Sequence, residues 1–292
     1  MEDKKISDRA KGIFFIILSA FGFALMSAFI KLSGDLPNFQ KVFFRNLVAA
    51  IVALALIIKN KGSMIGKKEN RALLLWRSIF GTIGIIFNYY AIDKLVLSDA
   101  NMLNKISPFL VVIFCALFLK EKINFKQIGA IIVAFIGALF IIKPSFDVRV
   151  VPYIIGILSA VFAALAYTFV RMIGKKEESY TIVFFFSTFS LLAVLPVFLI
   201  VYQSMTMYQL GCLILSGIAA SLGQFGITLA YRYAPAKEIS IFDYSNIIFS
   251  ALLSIFLFGI YPDKYSVIGY MIIFAAALYM FLYNKKLDKL EK

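Results

Sequence analysis

Two stretches of the chain, ILSAFGFALMSAFIKLSG at residues 17–34 and ILSAVFAALAYTFVRMIG at residues 157–174, decide how the rest of the sequence is interpreted. Eight of their eighteen positions are identical, and Lys31 is matched by Arg171 at the equivalent position. The two copies lie 140 residues apart in a chain of 292 residues. This similarity predicts an internal duplication, in which a second homologous half follows the first.

Further matches extend the duplication along the chain. The same offset pairs Gly129 with Gly269, and an offset of 139 residues pairs Gly84 with Gly223. The change of one residue is absorbed by the longer connection at 259–264. We therefore expect two halves, at residues 1–146 and 147–292.

The composition predicts an all-α membrane protein. Hydrophobic residues make up 62% of the chain and charged residues 16%, whereas soluble globular chains are about 45–50% apolar. Several apolar runs approach the roughly 20 residues that a helix needs to cross a bilayer. They show no alternation of polar and apolar residues, which disfavours a membrane β-barrel.

The apolar runs predict ten spans, five in each half. Because five is odd, the second half enters the membrane from the opposite side, which gives two inverted five-helix repeats of the kind that secondary transporters use. The predicted spans are 12–33, 38–58, 72–92, 98–119, 125–143, 151–173, 180–201, 208–231, 238–259 and 265–284.

The distribution of basic residues predicts the orientation. Most of the 30 lysines and arginines fall in the loops and termini on one side, and the positive-inside rule places that side in the cytoplasm. We expect both termini there, in a multi-pass protein of the cytoplasmic (inner) membrane. The net charge of +14 is then a signal of topology that also attracts anionic lipid, and not of nucleic-acid binding.

Several chemistries are disfavoured by what the sequence lacks. It contains no histidine, the usual metal ligand and neutral-pH acid or base, and it has no phosphate-binding G-x-x-x-x-G-K-[ST] loop. We expect no enzyme activity, no metal and no cofactor. Cys115 and Cys212 lie in apolar runs and are expected to be small buried hydrophobic residues rather than a disulfide.

Four ionisable residues well inside the ends of their predicted spans are the candidates for a polar site, because such residues are costly in a membrane and usually face a bundle interior or a wet cavity. Arg45, Arg77 and Lys105 belong to the first half, and Asp243 belongs to the second. Snorkelling of the arginines to the interface and a structural ion pair of Asp243 are the alternatives. The asymmetry predicts a cavity for an amphoteric or anionic solute, in which the cations bind a carboxylate or phosphate. Asp243 would meet an amino group or carry a coupling proton.

Other polar and aromatic residues complete the predicted site. Asn101, Asn104, Lys105 and Pro108 follow the spacing of one helical face, and Pro108 is expected to kink span four. The predicted substrate-binding residues are Arg45, Arg77, Tyr89, Asn101, Asn104, Lys105, Tyr167, Asp243, Tyr244 and Asn246.

The chain also resembles a known family in AIDKLVLSDANML at 91–103, SPFLVVIFCALFLKEK at 107–122 and QIGAIIVAFIGALFIIK at 127–143. These segments look like the drug/metabolite transporter superfamily, EamA type, and FFRN at 43–46 and WRSIFG at 76–81 look like one subgroup. The resemblance implies a central cavity between spans 1, 3, 4, 6, 8 and 9, and export or exchange of small metabolites. One departure is Glu121, an acidic position of the family whose counterpart in the second half is Ile260.

Together these features favour a secondary transporter for a small polar metabolite, such as an amino acid or a related compound, working by alternating access. The alternative is a lipid-linked substrate flippase, or an accessory subunit, of the same fold. A membrane-embedded transferase is less favoured because the loops are short. The predicted partners are a small-molecule substrate and membrane lipid, without nucleic acid, and a homodimer is left open.

Overall fold

The computed structural model describes residues 2–120, 124–142, 150–233 and 240–290, and all regular structure within them is helical. Short 3₁₀ segments lie at Lys68–Asn70, Gly174–Lys176 and Ser240–Tyr244. The α-helices are α1 (Glu2–Leu32), α2 (Asn38–Asn60), α3 (Arg71–Lys94), α4 (Leu97–Asn104), α5 (Ser107–Leu119), α6 (Phe125–Ile142), α7 (Val151–Ile173), α8 (Ser179–Val201), α9 (Met207–Tyr233), α10 (Ser245–Phe258) and α11 (Lys264–Leu290).

The helices confirm the predicted all-α membrane fold. Within the described residues, nine helical stretches are long and apolar enough to cross a membrane, and Phe242–Phe258 is a shorter apolar helix at the position of the predicted ninth span. Span four differs from the prediction because it is divided into α4 and α5. The predicted boundary between residues 146 and 147, and Glu121, lie outside the described residues.

The outer surface is apolar and the interior contains charged side chains. Phe125, Ile200 and Phe256 are each more than 80% exposed, as residues facing lipid would be. Arg45 and Lys41, by contrast, are among the largest fully buried side chains. Cys115 and Cys212 are buried and form no disulfide, as expected.

The helices of the two halves pack in a pattern that is unchanged when the halves are exchanged. Contacts of α1 with α9 correspond to those of α7 with α3, and contacts of α2 with α9 correspond to those of α8 with α3. The pairs α2 with α8, α4 with α10 and α6 with α11 each correspond to themselves. This exchange symmetry is what a pseudo-two-fold relation between the halves requires.

The first ILSA segment lies at a close crossing between the two halves. Ser19 donates a hydrogen bond to the carbonyl of Gly223 (2.7 Å), and a Cβ added to Gly22 would lie 2.8 Å from the backbone nitrogen of Gly223. At the equivalent crossing of α3 and α7, a Cβ on Gly84 would meet the Ala163 nitrogen at 3.2 Å. Glycine therefore permits backbone contact at both crossings, as small residues do in membrane helix pairs.

We predict that Gly22→Ala and Gly129→Ala change stability in opposite directions. The new methyl at Gly22 meets backbone atoms of α9, which cannot rotate away, so we expect a loss of about 1–3 kcal/mol. At Gly129, inside α6, a Cβ has no neighbour within 4 Å, and the better helix propensity of alanine should add up to about 1 kcal/mol. Thermal unfolding of the two purified variants in detergent measures this, and equal shifts for both would contradict the packing described.

Candidate functional site

Each half contributes an interruption of regular α-helical structure to the centre of the molecule, namely the break between α4 and α5 and the 3₁₀ segment Ser240–Tyr244 that precedes α10. α4 ends at Asn104 and α5 begins at Ser107, with Pro108 in its first turn. Proline has no N–H, so Pro108 cannot donate the helical hydrogen bond to the Asn104 carbonyl. At the end of α4, the backbone N–H of Lys105 donates to the carbonyls of both Asn101 (3.1 Å) and Met102 (3.0 Å), so the last turn of this helix is tightened.

The second interruption lies at the equivalent place in the other half. The 3₁₀ segment Ser240–Tyr244 runs into α10, which begins at Ser245. In the sequence alignment of the halves, Lys105 matches Tyr244 and Asn104 matches Asp243. The two interruptions are therefore related by the duplication, and α4 packs against α10.

An ion pair joins the two interruptions. The Lys105 Nζ lies 2.5 Å from Asp243 Oδ2, and the side chains are only 12% and 14% exposed. The Tyr244 hydroxyl donates to the Lys105 carbonyl at 3.1 Å, which satisfies a backbone group in the interruption. Asp243 Oδ1 has no hydrogen-bond partner among the described residues, so this carboxylate retains capacity for a proton or a donor.

The three predicted asparagines are held by other helices. Asn101 donates to Ser250 Oγ (2.9 Å) and accepts from Ser27 Oγ (3.1 Å), whereas Asn246 donates to the Ala20 carbonyl (2.8 Å). Asn104 donates to Ser159 Oγ at 3.2 Å. The expectation that Asn101, Asn104, Lys105 and Pro108 share one helical face is wrong, because the helix ends at Asn104. A substrate role for the asparagines stays a prediction.

A second polar group surrounds the ring of Phe186 on α8. The guanidinium carbon of Arg77 lies 3.7 Å from the ring centre, and that of Arg45 lies 5.7 Å from it. Arg45 is 1% exposed and Arg77 5% exposed, so neither guanidinium reaches the surface by snorkelling. Arg45 Nη1 donates to Asn46 Oδ1 (2.6 Å).

Two predicted tyrosines lie beside these arginines. Tyr89 is fully buried and lies next to Arg45. Tyr167 lies within electrostatic range of both arginines and of Asp243, and it is 36% exposed. It is therefore close enough to interact electrostatically with the arginine pair and with the acidic member of the ion pair. Whether these residues bind substrate stays a prediction, but the structure brings them into one central region.

Sequence reasoning missed several buried polar contacts. Asp99 is 1% exposed and accepts a hydrogen bond from Tyr270, although its position inside predicted span 98–119 was visible. Lys41, near the start of predicted span 38–58, is fully buried and pairs with Asp93 at 2.7 Å. Nothing in the sequence distinguished Phe186 from the other 30 phenylalanines.

The arrangement provides binding and charge compensation inside a membrane bundle. Within the described residues there is no group of three His, Cys, Asp or Glu side chains that could hold a metal ion. A fold of apolar spanning helices, packed in exchange-symmetric pairs around interrupted helices with an internal ion pair, defines a multi-pass membrane transporter.

The comparisons identify the family. The EamA-like transporter family model matches residues 10–143 and again residues 151–282. The chain belongs to this family, a family of transporters and not of enzymes. The double match confirms the two repeats that the ILSA segments indicated.

Three relatives illustrate the range of the family. The chain is 31% identical to a pseudopaline exporter of Pseudomonas aeruginosa over 91% of this chain and 94% of the relative. It is 28% identical to mouse solute carrier family 35 member G1, over 91% and 77%. It is 24% identical to an S-adenosylmethionine uptake transporter of Rickettsia bellii, over 94% of each.

A solved crystal structure shares the fold at low sequence identity. The two structures superpose with a TM-score of 0.69 at 14% identity, covering 95% of this chain and 99% of the other. The fold is thus shared with an experimentally determined protein.

We predict that the Lys105 and Asp243 side chains are energetically coupled. Lys105→Met and Asp243→Asn should each lower stability, because each removes one partner and leaves the other side chain buried without it. The double variant should recover part of the loss, with a coupling of about 1–3 kcal/mol. The unfolding midpoints of the wild type, the two single variants and the double variant give the coupling between the two side chains. Additive effects of the two substitutions would show that the pair is not coupled.

Proposed function

We propose that this protein is a secondary transporter that moves a small polar metabolite across the cytoplasmic membrane by alternating access. The substrate is amphoteric or anionic, an amino acid or a compound of similar size and charge. The observation that carries the proposal is the Lys105–Asp243 ion pair between the interrupted helices of the two halves. Interrupted helices of this kind form the substrate and ion sites of many secondary transporters.

The exchange symmetry of the packing supports alternating access. If each half can adopt the conformation of the other, a cavity open to one side is converted into a cavity open to the other side. The glycine crossings of α1 with α9 and of α3 with α7 supply closely packed contacts on which the halves pivot. The energy for transport then comes from a gradient of solute or ions.

The ion pair supplies the site with both charges. A substrate amino group competes with Lys105 for Asp243, and a proton on Asp243 releases Lys105. Either event weakens the contact between the interruptions, which links occupancy of the site to the arrangement of the halves. The relatives include one named as an exporter and one named as an uptake transporter. Membership of the family therefore does not determine the direction of transport.

We predict that Asp243→Asn strongly reduces transport. The amide keeps the shape of the carboxylate but removes its charge and its proton, so the initial rate should fall by about tenfold or more, or lose its pH dependence. The measurement is uptake into proteoliposomes of a solute first selected by thermal-shift screening against amino acids, nucleosides, adenosyl compounds and organic anions.

Asp93→Asn is the matched control, because it removes another lysine-paired acid, in the last turn of α3, whose partner is Lys41 and not Lys105. Its stability should fall because Lys41 is left buried without its partner, but its rate per folded protein is expected to stay within about twofold of the wild type. A wild-type rate and pH profile for Asp243→Asn would exclude the proposed role of this residue.

We also predict that the chain ends in the cytoplasm. The excess of lysine and arginine in the loops that connect α2 to α3 and α7 to α8 supports this orientation. A reporter active only in the cytoplasm, fused after Lys292, should be active in cells. A reporter inserted between Pro262 and Asp263, on the opposite side, should be inactive, and the reverse result would invert the topology.

A further inference from the structure

Arg45 and Arg77 contain buried N–H groups that find no hydrogen-bond acceptor in the part of the chain that the structure describes. The Nε of Arg45 and both Nε and Nη1 of Arg77 are buried without a hydrogen-bond partner among the described residues. The two side chains are 1% and 5% exposed. Donors left unpaired in this way cost free energy, and the cost is larger for charged groups than for neutral ones.

The two arginines also lack a neutralising charge. Neither forms an ion pair with an acidic side chain in the part of the chain that the structure describes. Their nearest electrostatic neighbours are Tyr89, Tyr167 and each other. Two like charges buried together without an acid destabilise a protein, so the folded chain carries a cost here that an anion would remove.

The neighbouring ion pair differs in this respect. Lys105 is neutralised by Asp243 at 2.5 Å, so an anion that approaches Lys105 must compete with a carboxylate already in place. In the second half, Ser216 aligns with Arg77 and Ser187 lies near the position that corresponds to Arg45, and both serines are buried and uncharged. The unneutralised charge therefore belongs to one half and is not a feature of the packing symmetry.

The local structure holds the Arg77 guanidinium in a fixed plane. It stacks on Phe186 at 3.7 Å from the ring centre, an attractive cation–π contact. Gly81, one helical turn along α3, leaves the room for this stack. A Cβ at Gly81 would lie 2.5 Å from Arg77 Nη1 and 2.8 Å from the Phe186 ring.

We propose that Arg45 and Arg77, arranged around Phe186, form the subsite that binds the carboxylate or phosphate group of the transported molecule, whereas Lys105 is already paired with Asp243 before that molecule binds. This inference rests on the proposed transport function and assigns its anionic group to two residues. A planar guanidinium offers parallel N–H donors that match two oxygens of a carboxylate or phosphate. The substrate class is thus a solute with at least one such group.

The test measures binding in the absence of transport. Purified protein in nanodiscs of neutral phosphatidylcholine is titrated with citrate and, separately, with inorganic phosphate, at constant ionic strength with chloride as the control. Saturating anion should raise the wild-type unfolding temperature by about 4 °C or more. Arg45→Gln and Arg77→Gln should abolish this increase, and Arg77→Lys should weaken the binding about tenfold.

Two further variants separate binding from structural damage. Arg171→Gln removes the same charge from an exposed position of α7 and should retain the full anion effect. Gly81→Ala keeps both arginines but displaces Arg77 from Phe186, and it should lose the effect. Without anion, Arg77→Gln should unfold at the wild-type temperature or above it, because it removes a buried repulsion.

The proposal is overturned if neither anion stabilises the wild type, or if Arg77→Gln keeps the anion effect. It is also overturned if only nanodiscs containing anionic phosphatidylglycerol give the stabilisation, which would assign the arginines to a lipid headgroup. Transport with an unchanged KM in Arg77→Gln would reject the subsite and leave the transporter standing. Intact anion binding without transport of any bound solute would reject the transporter and leave the anion site standing.

Discussion

A helix can be interrupted inside a bilayer only where its freed polar groups find partners within the protein. In this chain the partners of one interruption come from the other. The hydroxyl of Tyr244 covers the Lys105 carbonyl, and Asp243 neutralises the Lys105 ammonium group. Because each half completes the other, the interruptions must stay together at the centre, and the remaining helices are arranged around this contact.

The duplication accounts for the symmetric packing of the two halves. The residues that differ between the halves include the charged residues at the centre. Ser19 and Gly22 pack against α9 much as Ser159 and Ala163 pack against α3. The charged residues do not follow this rule, since Arg77 aligns with Ser216 and the region that corresponds to Arg45 carries no cation. Two packed halves alone would not require two buried cations on one side of the pseudo-symmetry. This asymmetry is the reason for proposing that the arginines act on the solute.

Much of the fold was predictable from the sequence because lipid imposes simple rules on it. The apolar runs predicted the spans to within a few residues. The ILSA repeat predicted two repeats, and the double match of the family model confirmed them. The interruption of span four was predicted only as a kink at Pro108. The sequence alone cannot show that the helix ends before this proline. That ending depends on Tyr244 lying close enough to donate a hydrogen bond to the Lys105 carbonyl.

The sequence predicted which charged residues lie in the central region, but not which of them pair with one another. Arg45, Arg77, Lys105 and Asp243 were visible because charge inside an apolar run is rare. That Lys105 is neutralised while the arginines are not requires distances between residues more than 100 positions apart, and no periodicity encodes them. Phe186 shows the same limit, because its importance comes only from the two guanidinium groups beside it.

The stacked arginines have an electrical consequence. An elementary charge that crosses a full membrane potential of 100 mV changes in free energy by about 2.3 kcal/mol. If Arg45 and Arg77 shift relative to the field as the halves exchange conformations, the return of the empty carrier moves net positive charge and responds to voltage. A singly charged anion bound between them would offset one of the two positive charges, so the loaded step would be less sensitive to the potential than the empty step.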